Sequence, residues 1–405
     1  MIERPDLPID LVPATDGAIA VINLESARVQ SWSRFWREPE RPGIAELIVE
    51  QELLTAQFRG DPGALDRLET LVNQLVRVNP EAAQTSLIAA QVACATHRFA
   101  EARVCLAQAA ARGAPSDAAE RLSLSLDQAT AVDLDRVLAT RRKRAAQPGR
   151  WEELVPLGAL LADLGEFDEA ERTYRRALRE YQDVSPFALA WACFELGALW
   201  GERVTTPRAG LAAQWYRTAL DYLPCYVKAR VHLAEILLDH GETKDAGNLL
   251  GPVIASGDPE VYWRLAEVAA AEANAADADT FMEAARSRFE SLLARHPLAF
   301  ADHGTEFYLA GGDNPARAIE LARLNVANRP TLRAFELALE AALTAGECDL
   351  AADLIANASQ RWADTAAFRN SPLARHANRG ARAKRVFGEP WMGGDGQSEA
   401  ARAGT

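Results

Sequence analysis

The chain has 405 residues, 49% apolar and 25% charged, a globular composition with material for a large core. Its formal charge of −13 argues against general affinity for nucleic acid or anionic lipid, since both need a cationic face. No apolar run is long enough for membrane insertion, and five scattered cysteines without a CxxC pair point to reduced thiols in the cytoplasm, not to a disulfide framework or a zinc site.

Residues 1–14 carry Pro5, Pro8 and Pro13 and are expected to be extended; they lack the basic stretch and apolar run of a signal peptide. Residues 17–36 read as one amphipathic helix with Ile19, Ile22, Val29, Trp32, Phe35 and Trp36 along its stripe. Such a helix is expected to cover the first exposed face of the array that follows, so residues 1–43 form an N-terminal segment. From residue 44 onward strand signals are nearly absent, and glycines and prolines fall between amphipathic stretches, the punctuation of short helices joined by tight turns. Within 44–147, Ala89, Ala90 and Ala93 and then Ala102, Leu106 and Ala109 outline one hairpin. Arg141, Arg142, Lys143 and Arg144 end a helix there, where cations suit the negative end of its dipole and are expected to be solvated.

The clearest unit spans residues 151–182. Its first helix carries Leu154, Leu157, Gly158 and Leu161, Gly165 breaks it, and the second carries Ala170, Tyr174 and Ala177. Small residues opposite a bulky aromatic let two antiparallel helices approach closely. This unit resembles the tetratricopeptide repeat, a helix–turn–helix of about 34 residues. Leu154 replaces the usual first aromatic, and the closing proline is displaced to Pro186. The pattern returns in Leu196, Gly197, Trp200, Ala212, Tyr216 and Ala219, with a turn over 201–207 longer than the standard, and in Leu233, Ala234, Leu237, Gly241, Ala246 and Leu250. The second-helix alanines 102, 170, 212, 246, 318 and 351 are spaced by 68, 42, 34, 72 and 33, close to single or double periods except where the turn is longer. About nine hairpins are expected between residues 44 and 364, degenerate over 44–147 and repeat-like over 148–364. The fold implied is all-α: an open, right-handed α/α superhelix.

By that resemblance the first helices line a concave groove and the protein is an interaction scaffold or adaptor, not an enzyme, with no cofactor. The family's groove positions fall on Glu152, Val155, Ala159 and Asp163; on Trp191, Phe194, Ala198 and Glu202; on Lys228, Val231, Glu235 and Asp239; on Glu260, Trp263 and Glu267; and on Asp302 and Glu306. Trp191, Phe194, Lys228, Glu235, Asp239, Trp263 and Glu267 are the expected contacts of a protein or peptide partner with a basic segment. Val155, Ala159, Phe194, Ala198, Val231 and Glu235 stand where chaperone-tail-binding relatives carry a cationic clamp, so that ligand class is not expected. RNA-reading helical repeats have similar lengths, but the body's charge of −17 opposes them.

Residues 365–405 form a basic C-terminal tail. Over 361–405 eight Arg and Lys face four acids, and the stretch includes Val386-Phe387-Gly388-Glu389-Pro390-Trp391-Met392 and a glycine-rich end from 393 expected to be disordered. The tail is expected either to cap the last repeat through Trp391 or to fold back on the groove. No phosphate-binding loop, HExxH or GxSxG motif is present. The alternative to a scaffold is a metal or enzyme site at His303 and Glu306, which share a helix face at i and i+3.

Overall fold

Prolines open several helices, and left-handed glycines close several others. Pro186, Pro259, Pro297 and Pro315 stand in the first turn of their helices, where a missing N–H costs nothing. Gly165, Gly241 and Gly346 end helices with φ of +85°, +74° and +75°. The computed structural model describes residues 12–378, and helices run through all of it, with no strand among the described residues.

Helix α1 (Gly17–Arg37) precedes nine hairpins. These are α2 (Ile44–Arg59) with α3 (Gly63–Val78), α4 (Ala83–Ala95) with α5 (Phe99–Ala111), and α6 (Ser116–Ala129) with α7 (Leu134–Ala145). The fourth to sixth are α8 (Leu154–Leu164) with α9 (Phe167–Glu180), α10 (Pro186–Ala198) with α11 (Ala209–Tyr222), and α12 (Val227–Asp239) with α13 (Thr243–Leu250). The last three are α14 (Pro259–Ala271) with α15 (Ala275–Arg295), α16 (Pro297–Leu309) with α17 (Pro315–Asn328), and α18 (Leu332–Thr344) with α19 (Cys348–Trp362). A short α20 (Ala366–Asn370) follows, and residues 372–378 are helical again.

The hairpins close through the small-against-large pairs that the sequence indicates. A Cβ built on Gly158 would lie 2.6 Å from the Tyr174 ring, and one on Gly197 would lie 2.5 Å from the Tyr216 ring. Gly304 repeats the arrangement against Leu321, at 2.9 Å. Ala102, Ala170, Ala212, Ala246, Ala318 and Ala351 are all buried on the facing helices. The long turn after α10 is a five-residue π-helical segment, Leu199–Arg203.

The spiral is not open, as the sequence led us to expect. Three seams join distant hairpins. In the first, Phe58 of α2 packs on Phe187 and Tyr226, with ring centroids 5.2 and 4.7 Å apart, and the backbone N–H of Val12 donates to Tyr222 Oη at 3.0 Å. In the second, Asp66 of α3 pairs with Arg295 and with His296 Nε2 at 2.8 Å, while Asn328 donates to the His97 carbonyl at 2.9 Å. In the third, α20 lies against the α8–α9 turn, where the Ala367 nitrogen is 2.3 Å from the place a Cβ of Gly165 would take. The fourth to ninth hairpins and α20 therefore form a closed ring, and the first two hairpins stack on its side.

Two further expectations are corrected. In α1 the buried residues are Gly17, Ala20, Leu24, Ser31 and Phe35, while Ile19, Ile22, Val29 and Trp36 are 53–65% exposed. At the start of the helix the reason is close approach, since Gly17 sits against the Tyr222 carbonyl and a side chain would not fit there; further along, Leu24 and Phe35 continue the buried face. Likewise Arg141 and Arg144 are not solvated. The Arg144 guanidinium is forked into Glu153, Asp117 and Glu120 at 2.5–2.9 Å, because the acidic start of α6 and the turn before α8 enclose it. Residues 1–11 and 379–405, with the expected extended start and disordered end, lie outside the described residues.

Candidate functional site

The ring encloses a chamber of about 980 Å³. Its wall is built mainly from α8, α12, α14, α16 and α18, from the π-helical segment after α10 and the two residues that follow it, and from residues within 367–376. The carboxylates on it are Asp163, Glu202, Glu235, Asp302, Glu306, Glu336 and Glu340. They are opposed by Arg203, Arg264, Arg329, Arg333 and Arg375 and by His232, His303 and His376. The chamber is thus of mixed charge, where the groove positions taken alone indicate an acidic wall.

Most of these charges form a belt in which each rung crosses to the next hairpin. Asp163 of α8 accepts from Arg203 at 3.0 Å. Glu202 accepts from Tyr216 Oη at 3.0 Å and lies 2.7 Å from His232 Nδ1 of α12. Glu235 of α12 pairs with Arg264 of α14, whose guanidinium also stacks 3.9 Å over the Trp263 ring. Glu260 of α14 is 2.6 Å from His303 Nδ1 of α16. Asp302 and Glu306 of α16 accept from Arg329 at 3.2 Å and from Arg333 at 2.9 Å. The belt ends on α18: Glu336 and Glu340, one turn apart, make no hydrogen bond or salt bridge among the described residues. Burial raises the Glu336 pKa, with only more distant arginines to oppose it.

The belt fixes the protonation of its histidines. Burial alone would lower the His303 pKa, but Asp302 and Glu260 outweigh it and raise the value to about 10. Burial likewise opposes charge on His232, and Glu202 and Glu235 overcome it, raising the pKa to about 9. Burial would raise the Glu202 pKa; His232 holds it down at about 2. A histidine raised above 6.5 contributes stability that is complete below that pH and is lost as pH rises through its folded value. The unfolding free energy should therefore fall between pH 7 and 10, and His303→Gln should remove part of that fall. Urea unfolding at a series of pH values checks this; parallel profiles for wild type and variant would contradict it.

Of the seven residues expected to meet a partner, Glu235 and Trp263 line the chamber. Glu267 stands beside it, bonded to Arg264 at 2.8 Å. Phe194 lies behind the wall, packed on Tyr216, Tyr226 and His232. The Trp191 indole donates to Glu195 at 3.0 Å and packs on the main apolar core. Lys228 is half-buried outside the lining, and Asp239 is exposed at the end of α12. Asp163, Glu202, Asp302 and Glu306, also at expected groove positions, do line the chamber. The five arginines are what sequence reasoning missed. Arg203 is delivered by the π-helical segment, and Arg329 and Arg333 flank the start of α18, for which no groove positions are drawn from the sequence.

The metal alternative fails on geometry. His303 turns to Glu260 and Glu306 turns to Arg333, so the two do not converge. Among the described residues no group of three or more His, Cys, Asp or Glu side chains could hold a metal ion. Nor is any helix among them long and apolar enough to cross a membrane.

No protein-family model matches the chain, and no curated protein is similar to it in sequence. Solved structures similar to it include the APC/C hetero-tetramer Cut9–Hcn1, at 14% identity and TM-score 0.32, matched over 78% of this chain and 52% of that one. This chain thus spans about half the length of that relative. Yeast Tom70 is matched at 12% identity and TM-score 0.29 over 91% and 97% of the two chains. The human IFIT1 dimer with PPP-AAAA is matched at 14% identity and TM-score 0.32 over 88% and 96%.

Proposed function

We propose that the protein is an interaction scaffold whose chamber receives an extended, basic segment of a partner protein. One observation carries this reading. The charge belt satisfies its carboxylates hairpin by hairpin and then leaves Glu336 and Glu340 unmatched at one end of the wall. Glu336 is half-buried and attracts a cation more strongly than it would in water, and exposed Glu340, one turn along the helix, adds to the field that steers it there. Leu343, 46% exposed one turn further along α18, adds an apolar contact, so a cation followed by an apolar residue is the recognised pattern. The wall is preformed by packed helices, which limits the ordering cost of binding to that of the peptide.

Selection of random 12-residue peptides on the full chain tests this. Lys- or Arg-containing peptides with a neighbouring apolar residue should be enriched, and Glu336→Lys/Glu340→Lys should weaken them at least about tenfold. Enriched peptides that bind the charge-reversed chain equally well would place the interaction elsewhere.

A further inference from the structure

We propose that residues 379–392 of the same chain occupy the unmatched end of the chamber. This deepens the scaffold reading, because the segment would hold that end until a partner displaces it.

The starting point is where the described chain stops. Arg375 and His376 line the chamber, and the description ends two residues later at Asn378. The described chain therefore ends two residues beyond a residue of the wall. Fourteen residues can reach about 46 Å when extended, more than twice the roughly 20 Å length of a 13-residue helix such as α18. Reach sets no limit.

The chemistry then matches in order. Residues 379–388 contain Arg379, Arg382, Lys384 and Arg385 and no acid, and Val386, Phe387 and Trp391 follow. Glu336, Glu340 and Leu343 stand at i, i+4 and i+7 of α18, which puts two carboxylates and then an apolar side chain on one helix face. Cations set against Glu336 and Glu340 would complete the belt in the way that Arg333 completes it at Glu306. Phe387 would then fall beside Leu343. Among the described residues Arg375 donates to the Asn370 carbonyl at 3.2 Å; it acts on Glu336 only through its field and makes no salt bridge to either glutamate.

A photo-crosslinking amino acid placed at Phe387 of the full chain tests this without any partner. Cross-links should form within one chain to peptides around Leu343, at a yield independent of protein concentration. Arg382→Glu/Lys384→Glu/Arg385→Glu should cut that yield at least fivefold, and adding Glu336→Lys/Glu340→Lys should restore it. Urea unfolding of the tail variant beside wild type, expected to give the same midpoint, separates loss of yield from unfolding. Cross-links to the outer helices, links between chains that grow with concentration, or a yield indifferent to charge reversal would overturn the proposal. If the cross-link forms as described but no library peptide binds even the tail-reversed chain, the tail assignment stands and the scaffold reading fails.

Discussion

Gly197→Val is expected to cost about 3 kcal/mol of stability, the upper part of the range for overpacking a closed core. The added atoms would start 2.5, 2.6 and 2.9 Å from three carbons of the Tyr216 ring. That ring cannot swing away. It is 1% exposed, its hydroxyl is bonded to Glu202, and Phe194 and His232 pack against it. Any movement of Tyr216 also disturbs the Glu202–His232 rung, so the damage should reach the chamber wall. Helix propensity offsets only a few tenths of a kcal/mol for a β-branched residue. Gly247→Val of α13 is the control, since a Cβ there meets a single flexible atom, Cγ1 of Val268, at 3.3 Å, where Gly197 meets three ring carbons below 3 Å. Urea unfolding of the two variants beside wild type gives the comparison. Equal losses would mean that the α10–α11 hairpin does not close through this notch.

The contrast between what the sequence discloses and what it hides has a physical basis. Gly158 with Tyr174 and Gly197 with Tyr216 are neighbours within one hairpin, so a local period reveals them. The ring is different. Its seams join residues as far apart as Val12 with Tyr222, 210 positions, and Asp66 with His296, 230 positions. They exist because small rotations between hairpins accumulate until distant ones meet, and no short window of sequence carries that sum. The chamber shows the same division. Groove positions on regular first helices lead to Asp163, Glu235, Trp263, Asp302 and Glu306, and the position counted on past α10 leads to Glu202. Trp191 is lost to a local competitor, Glu195, which lies one turn along the same helix and takes its indole N–H. Arg203 is hidden because it belongs to an insertion that breaks the repeat, and π-helical turns of this kind often carry functional side chains. In α1 the periodicity finds the helix and its buried Phe35 but misplaces the start of the buried side, where the close backbone approach at Gly17 leaves Gly17 and Ala20 inside and Ile19 and Ile22 outside.

The closed ring is the claim on which the chamber, its charge belt and its occupant all rest, and Gly165 is its most sensitive point. A side chain there would meet the backbone of α20, with the Ala367 nitrogen at 2.3 Å and the Ala366 carbonyl carbon at 2.8 Å, and backbone cannot yield as a flexible side chain can. Gly165→Ala also incurs the left-handed strain of a φ of +85°, about 1–2 kcal/mol. Gly241→Ala separates the two effects, because Gly241 closes the α12–α13 turn at φ +74° with nothing within 4 Å of its Cβ position. The measurement is amide hydrogen exchange of residues 366–374 in the wild-type chain and in both variants. With the ring closed as described, those amides are protected in wild type and in Gly241→Ala, and Gly165→Ala speeds their exchange at least about a hundredfold while α16 and α17 keep theirs. Equal exchange in all three proteins would contradict it and leave an open spiral with no chamber.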